Sequence, residues 1–382
     1  MSDVARRPEP AEAGGRNPIL IHGAPDSSPD LFHVIPAGIV DPFLYAETGG
    51  RRAATVSVLD ADKVSALGID VLDPAALGAD QLLASGLSRY EVDLEISLRA
   101  CRELGLQRAI VPPGFPLGVA DHLRAGGVTL DVDPDAFVLR RRAKTDAQLA
   151  GIRRAQKAAD AAMAVAAGLI RELRPGLTSE EIRAAMTAAC DERGCDLPGD
   201  VIVAHGAQSA DGHESGSGAL AAGEAVVVDI WPRDRESRCW ADMTRTFVAG
   251  GVTPDDELAE YWRLTRASLE LVYPEVRDGA DGQAIFRRSC EPFIEAGKPT
   301  QLTKQEGEVL RDGYFHGLGH GVGLEVHERP GLGRAPDTLR TGDVITLEPG
   351  CYRRGYGGVR LEDLVVVTGD GCETLTDFPY DL

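Results

Sequence analysis

The sequence predicts an α+β protein of two domains, and three observations carry that prediction. Between residues 29 and 140, short apolar runs alternate with helical periodicity, as in a small α/β domain. Between residues 141 and 382, a series of helix, helix and strands occurs twice, which points to a pseudo-symmetric domain whose curved antiparallel sheet faces a site between its halves. The 382 residues, 43% of them hydrophobic, are enough for two cores.

Residues 1–28 are rich in Pro, Glu, Gly, Asp and Ser and read as a flexible tail. Apolar segments at Phe32–Ile35, Pro42–Ala46 and Ala54–Leu59 then read as strands separated by turn residues such as Gly49-Gly50. Helical periodicity runs from about Val92 to Leu104 and stops at Gly105. Ala109–Val111 reads as a strand before Pro112, Leu117–Leu123 as a helix and Val128–Val132 as a further strand.

The domain boundary is marked by Arg140-Arg141-Arg142, after which Thr145 and Gln148 form a capping box. The helix it opens continues through an Ala-rich stretch to about Leu173, where Pro175-Gly176 breaks it. A second box, Thr178 with Glu181, opens a helix to about Cys190. Strands follow at Val201–Ala204, Ala225–Ile230 and Asp242–Ala249. The second series begins with Thr253 as cap and Pro254 at the first helical position, and adds a helix over Gln283–Ala296. Strands then centre on Leu324–His327, Val344–Glu348, Gly358–Leu361 and Leu364–Val367.

A net charge of −20, from 60 acidic and 40 basic residues, repels phosphate backbones and anionic membrane surfaces, so nucleic acid is excluded as a partner. No stretch has the length and apolarity of a signal peptide or a membrane span, which places the chain in the cytoplasm. Its seven cysteines are odd in number and form no C-x-x-C pair, as expected of reduced structural thiols.

The chemistry lies in three motifs. Val226-Val227-Val228-Asp229 is an apolar strand ending in a carboxylate, and Asp242 follows after a polar turn at an odd separation that a hairpin turns into a shared face. His316-Gly-Leu-Gly-His320-Gly-Val-Gly-Leu-Glu-Val-His327 combines glycines, which let backbone approach a buried site, with imidazoles suited to ligation and proton transfer. It has neither the G-x-G-x-x-G spacing of a dinucleotide loop nor the H-E-x-x-H spacing of a zinc peptidase helix. Glu348 and Glu362 each follow an apolar strand, where an unpaired charge is costly to bury; metal coordination or a salt bridge to Arg360 would remove that cost. Asp363, next to Glu362, belongs on the opposite sheet face. Four carboxylates and one imidazole are the donors that two divalent cations sharing bridging oxygens require. Cations about 3.5–4 Å apart would bring the pKa of a shared water toward neutrality.

The order Asp229, Asp242, His320, Glu348, Glu362 resembles that of the pita-bread metallopeptidases, the family of methionine aminopeptidase, aminopeptidase P and prolidase. The resemblance covers about residues 140–382, including Arg174-Pro-Gly-Leu-Thr-Ser-Glu-Glu and the closing Thr376-Asp-Phe-Pro-Tyr-Asp-Leu, and the preceding segment is similar to a creatinase-type domain. It implies a catalytic domain at 141–382 behind a creatinase-like domain at 29–140. It further implies two divalent metal ions, Mn ahead of Co, Fe or Zn, with Asp229 holding one, His320 and Glu348 the other, and Asp242 and Glu362 bridging. The accessory histidines would be His213 and His327, Glu348 would move the proton, and Arg360 would orient Glu362 or help close the site. Tyr352 and His316 are further candidates. The implied activity is hydrolysis of the bond between an N-terminal residue and proline in a dipeptide or longer peptide, by a homodimer.

Relatives usually have a shorter connection between the two aspartates, with glycine soon after the first, whereas Ile230-Trp231-Pro232 follows here. This change would reshape the substrate mouth. Two other readings keep the fold: a creatinase-like, metal-independent C–N hydrolase, and a non-catalytic peptide-binding module. Both are associated with loss of ligands, and all five are present here.

Overall fold

The computed structural model describes residues 17–381, and the chain divides into two compact units that part between Val138 and Leu139. The first unit contains β1 (Ile19–Gly23), α1 (Pro29–Val34), β2 (Phe43–Thr48), β3 (Arg51–Ala54), α2 (Ala61–Ser65) and β4 (Asp70–Val71). It continues with α3 (Ala79–Ala84), α4 (Arg89–Glu103), β5 (Arg108–Val111), α5 (Leu117–Ala125) and β6 (Thr129–Val132). The six strands form one sheet in the order β4-β3-β2-β1-β5-β6.

Three expectations for this unit are corrected. Part of the tail expected over residues 1–28 is strand β1, paired with β2 on one side and β5 on the other, because Ile19, Leu20 and Ile21 are buried; residues 1–16 lie outside those described. Phe32–Ile35 lies mostly in α1 instead of a strand: Ser28 Oγ accepts from the Leu31 N–H at 3.2 Å and Pro29 opens the helix, so the start signals outweigh the apolar run. The strand expected over Ala54–Leu59 ends at Ala54, and Val58 and Leu59 face solvent.

In the connecting region, α6 (Pro134–Arg142) is followed by α7 (Asp146–Arg171) and α8 (Ser179–Asp191). Both expected capping boxes form: Thr145 Oγ1 accepts from the Gln148 N–H while Gln148 Oε1 accepts from the Thr145 N–H, and Thr178 and Glu181 repeat the exchange. The alanines of α7 (Ala155, Ala158, Ala159, Ala162 and Ala166) are buried and let α8 and the sheet approach closely. The strands β7 (Cys195–Asp196), β8 (Ile202–His205), β9 (Ala225–Ile230), β10 (Arg233–Asp234) and β11 (Met243–Val248) come next.

The second series starts at α9 (Asp256–Val272), α10 (Gly282–Ser289) and α11 (Glu291–Glu295). The cap of α9 is Asp255, not Thr253: its Oδ1 accepts from the Leu258 N–H at 2.9 Å, and a carboxylate also complements the positive helix end. The single helix expected over Gln283–Ala296 is two, parted at Cys290, because Pro292 has no N–H to continue the ladder. The last strands are β12 (Gly319–Gly321), β13 (Glu328–Leu332), β14 (Val344–Leu347), β15 (Gly350–Arg353), β16 (Gly357–Arg360), β17 (Asp363–Val367) and β18 (Cys372–Thr374). Leu324–His327, expected as a strand, is the connection between β12 and β13, where the Gly323 N–H turns back to the Glu325 carbonyl.

The α+β expectation for this unit holds, with its strands divided among several short sheets. One has the order β11-β9-β8, another β13-β12-β14-β17-β18, and β15 and β16 form a ribbon. The Glu362 N–H bonds the Thr244 carbonyl at 3.0 Å, and Thr246 Oγ1 bonds both the N–H and the carbonyl of Arg360, so β11 is stitched to the second half.

Arg245 locks this junction from behind. Its guanidinium donates to the carbonyls of Thr244, Glu362, Phe378 and Pro379 and to Asp363 Oδ1 at 2.9 Å, with both side chains only 1% exposed. Asp363 also accepts from the hydroxyls of Tyr273 and Tyr380, and the Tyr380 ring lies against Arg245 and Arg266. Removing one partner strands a buried charge, so Arg245→Ala is expected to destabilise this unit by about 3–5 kcal/mol, read from its urea midpoint. Tyr380→Phe removes one donor of several and is expected to cost about 0.5–1.5 kcal/mol.

Candidate metal centre and active site

The face of the β11-β9-β8 sheet that carries the site follows from strand register. Ile202 pairs with Asp229 and Asp229 with Thr244, so the three side chains stand side by side on one face. Period-2 alternation adds Trp231 beyond Asp229, and Asp242 one step before Thr244. From the second half, β12 delivers His320, the end of β14 delivers Glu348, and the link between β16 and β17 delivers Glu362. β12 is squeezed between neighbouring strands: a Cβ on Gly319 would overlap the Thr346 carbonyl, and one on Gly321 would overlap that of Arg329. Glycine on either side of His320 is therefore a packing requirement.

These groups converge on a cavity of about 660 Å³ whose lining includes Asp229, Asp242, His320, Glu348 and Glu362. Ligand atoms of Asp242, His320 and Glu362 lie within 4.8 Å of one another. His320 Nε2 is 3.7 Å from Asp242 Oδ2 and 3.5 Å from Glu348 Oε1. Its Nδ1 stands 3.1 Å from the Gly321 carbonyl, which can only accept, so Nδ1 carries the proton and Nε2 presents its lone pair to the carboxylates.

The electrostatics are those of crowded acids out of water. Burial, reinforced by the charges of Glu362, Asp229 and Glu348, raises the Asp242 carboxyl well above its ordinary range. Burial together with Glu348 and Asp229 does the same to Glu362. Burial drives Glu348 up to about 8, with Arg360 opposing the rise and Asp229 adding to it. Burial and the neighbouring His327 push His320 down to about 4, which leaves it neutral.

A network of donors holds the acids in place. Arg360 Nη2 donates to Asp229 Oδ2 at 2.6 Å, Nη1 to the Tyr352 hydroxyl at 3.0 Å and Nε to Thr244 Oγ1 at 3.3 Å. Thr244 in turn donates to Glu362 Oε2 at 2.7 Å. Arg360 thus grips Asp229 directly and reaches Glu362 through a threonine; its ion pair goes to Asp229, whereas a salt bridge to a glutamate is one of the two alternatives the sequence leaves open. Tyr352 passes its proton toward His316 Nε2 at 3.0 Å, since His316 Nδ1 donates to the Gly317 carbonyl. His213 and His327 also line the cavity; His213 is exposed on its loop, and the His327 ring lies 4.2 Å from that of His320.

The donor set fits divalent cations. Asp229 Oδ1 is buried and lacks a hydrogen-bond partner among the described residues, although Oδ2 is held by Arg360. A cation would neutralise the mutual repulsion of the other carboxylates. Sequence reasoning missed Thr244 and Thr346, which bonds the His320 N–H at 3.1 Å and lies 3.5 Å from Glu348. The available signal was spacing: Asp242-x-Thr244 and Thr346-x-Glu348 each put a hydroxyl on the same strand face as an acid.

The probable dipeptidase PepE of Mycobacterium tuberculosis is 30% identical over 274 residues, 71% of this chain and 68% of that protein. An Xaa-Pro dipeptidase of Pyrococcus horikoshii is 29% identical over 291 residues, 75% and 76% of the two chains. The solved Xaa-Pro dipeptidase from Bacillus anthracis shares the fold with a TM-score of 0.79 at 23% identity, covering 96% of this chain and 94% of that one. The family model for metallopeptidases of family M24 matches residues 150–369, and with the carboxylates and imidazole gathered in that span, the chain belongs to metallopeptidase family M24 and is a hydrolase.

Proposed function

We propose that this chain is a dinuclear metal-dependent exopeptidase that cleaves the bond between an N-terminal residue and proline, as an Xaa-Pro dipeptidase or Xaa-Pro aminopeptidase. The observation that carries the reading is the convergence of four carboxylates and one neutral imidazole on one cavity. Membership of the family brings divalent metal ions. In this reading Asp229, Asp242, His320, Glu348 and Glu362 would hold the ions. Manganese is the proposed occupant, with Co, Fe or Zn suited to the same donors. When bound, the pair lowers the pKa of water and polarises a carbonyl.

The protein's own groups supply the rest. Glu348 takes up a proton on the attacking side and returns it to the leaving proline nitrogen. His327 and His213, at the cavity wall, donate hydrogen bonds to the oxygen that gains charge. Arg360, fixed by Tyr352 and Thr244, keeps Asp229 from turning away. The amide preceding proline lacks an N–H, so recognition of it rests on shape. Seven free thiols fit a reducing compartment, and we place the protein in the cytoplasm, as a homodimer. Among the described residues, no helix is long and apolar enough to cross a membrane.

With Mn added, the protein is expected to hydrolyse Xaa-Pro dipeptides or Xaa-Pro-Yaa tripeptides, and a side-by-side assay separates the two forms; inertness toward both would overturn the reading. Asp242→Asn and Glu362→Gln are each expected to lower kcat/KM by about 10³-fold or more and to reduce bound metal, with the fold retained by circular dichroism. Near-normal turnover by either variant would remove these residues from the site.

The raised carboxyls also set a pH dependence for the metal-free protein. Groups that hold protons more tightly when folded stabilise fully below their unfolded pKa, about 4, and lose that contribution as pH rises through the folded value. For Glu348 the folded value is about 8, and Asp242 and Glu362 shift in the same direction. The thermal midpoint of metal-free protein is therefore expected to fall between pH ~5 and ~9, and loading with Mn at pH 7 to release protons. A midpoint that climbs through this window would contradict the arrangement.

A further inference from the structure

The connection between Asp229 and Asp242 builds a feature that the metal-centred reading leaves without a role. Trp231 lines the cavity and packs half-buried against Ile202, Ala204 and Val227, all on the face that carries Asp229. The turn that follows is tied down on several sides. Asp234 is buried and accepts from Arg154 at 2.9 and 2.7 Å, and from the Ser237 N–H and hydroxyl. Arg233 lies over the Trp240 ring, 5.2 Å from its centroid, and Trp240 Nε1 donates to the Leu324 carbonyl at 3.1 Å. The Ala241 N–H closes the turn on the Pro232 carbonyl at 3.0 Å. Trp231 is therefore held as a fixed plane at the edge of the cavity.

We propose that Trp231, with Ile202, is the specificity-determining wall for the side chain on the amino side of the scissile bond, and that it favours large apolar residues there. This rests on the exopeptidase reading above. One argument assigns the side and another the preference. Asp200, which also lines the cavity, falls opposite Trp231 when the β8-β9 register is continued. An N-terminal ammonium group is favoured beside this carboxylate, whereas the carboxylate of a proline dipeptide is repelled. The surface offered by Trp231 and Ile202 is flat and apolar, the complement of a branched or aromatic side chain and of little use to glycine or alanine.

The test compares the holoenzyme with Trp231→Ala and Trp231→Phe on Leu-Pro, Phe-Pro, Ala-Pro and Gly-Pro, with Leu-Ala and Ala-Ala run in parallel. Trp231→Ala is expected to lower the ratio of kcat/KM for Leu-Pro over Ala-Pro about tenfold, mostly through KM, and Trp231→Phe to restore most of it. Far-UV circular dichroism and bound metal confirm that each variant is folded and loaded. An unchanged ratio in Trp231→Ala overturns the wall while leaving the exopeptidase reading intact. If the wild type cleaves only the Xaa-Ala series, the proline reading fails on its own, and the Leu-over-Ala ratio within that series still decides the role of Trp231.

Discussion

Four carboxylates brought together out of water repel one another, and the second unit is organised around keeping them there. The acids are not simply buried; three of them are approached from the protein in a way that leaves bonding capacity facing the cavity. Asp229 is gripped through Oδ2 by Arg360 while Oδ1 has no partner among the described residues. Glu362 is held through Oε2 by Thr244, and Glu348 lies beside Thr346. Positive charge is supplied sparingly: Arg360 is the guanidinium in the lining, and the imidazole of His320 is kept neutral by burial. A protein that filled this space with several arginines would satisfy the acids and leave nothing for a cation to do.

The two halves of the unit reach this end by related means. In the first, an acid just before β11 and a hydroxyl within it stand two residues apart, Asp242 and Thr244; in the second, a hydroxyl within β14 and an acid just after it form the reverse pair, Thr346 and Glu348. Alternation along a strand turns each pair toward the cavity. The bonds from Thr244 to Glu362, and from Thr246 to Arg360, then cross from one half to the other. On the reverse face, Arg245 points the other way and fastens the same backbone to Asp363 and to the C-terminal carbonyls of Phe378 and Pro379. Adjacent residues on one strand thus serve the site and its support.

Much of this could be read from sequence where local chemistry decides. The capping boxes at Thr145 and Thr178 and the apolar strands before Asp229 and Glu348 depend on residues close in the chain, and they form where expected. Errors arose where two local signals competed or where partners are distant. Phe32 sits in an apolar run, yet Ser28 and Pro29 start a helix; Thr253 offered a cap, yet Asp255 is the better acceptor. Ile19–Gly23 looked like tail because its partners, β2 and β5, lie about 20 and 90 residues on, beyond any periodicity window. The choice of Asp229 over a glutamate as the partner of Arg360 spans 131 residues and depends on how three short sheets meet.

The same distinction explains why the turn after Asp229 carries more information than its length implies. A single residue added between the two acids would turn one of them to the opposite face of the sheet, because each added residue reverses the face of a strand. Here the separation stays odd, and Asp229 remains paired with Thr244, two residues beyond Asp242. The connection between the two acids includes the β10 segment, which pairs with β7 and is anchored through Asp234 to Arg154 on α7. Register on the ligand face is kept while Trp231 stands at the rim. The acids must keep their positions for the centre to exist, but the rim is under no such restriction, so variation in what the site accepts is expected to collect there.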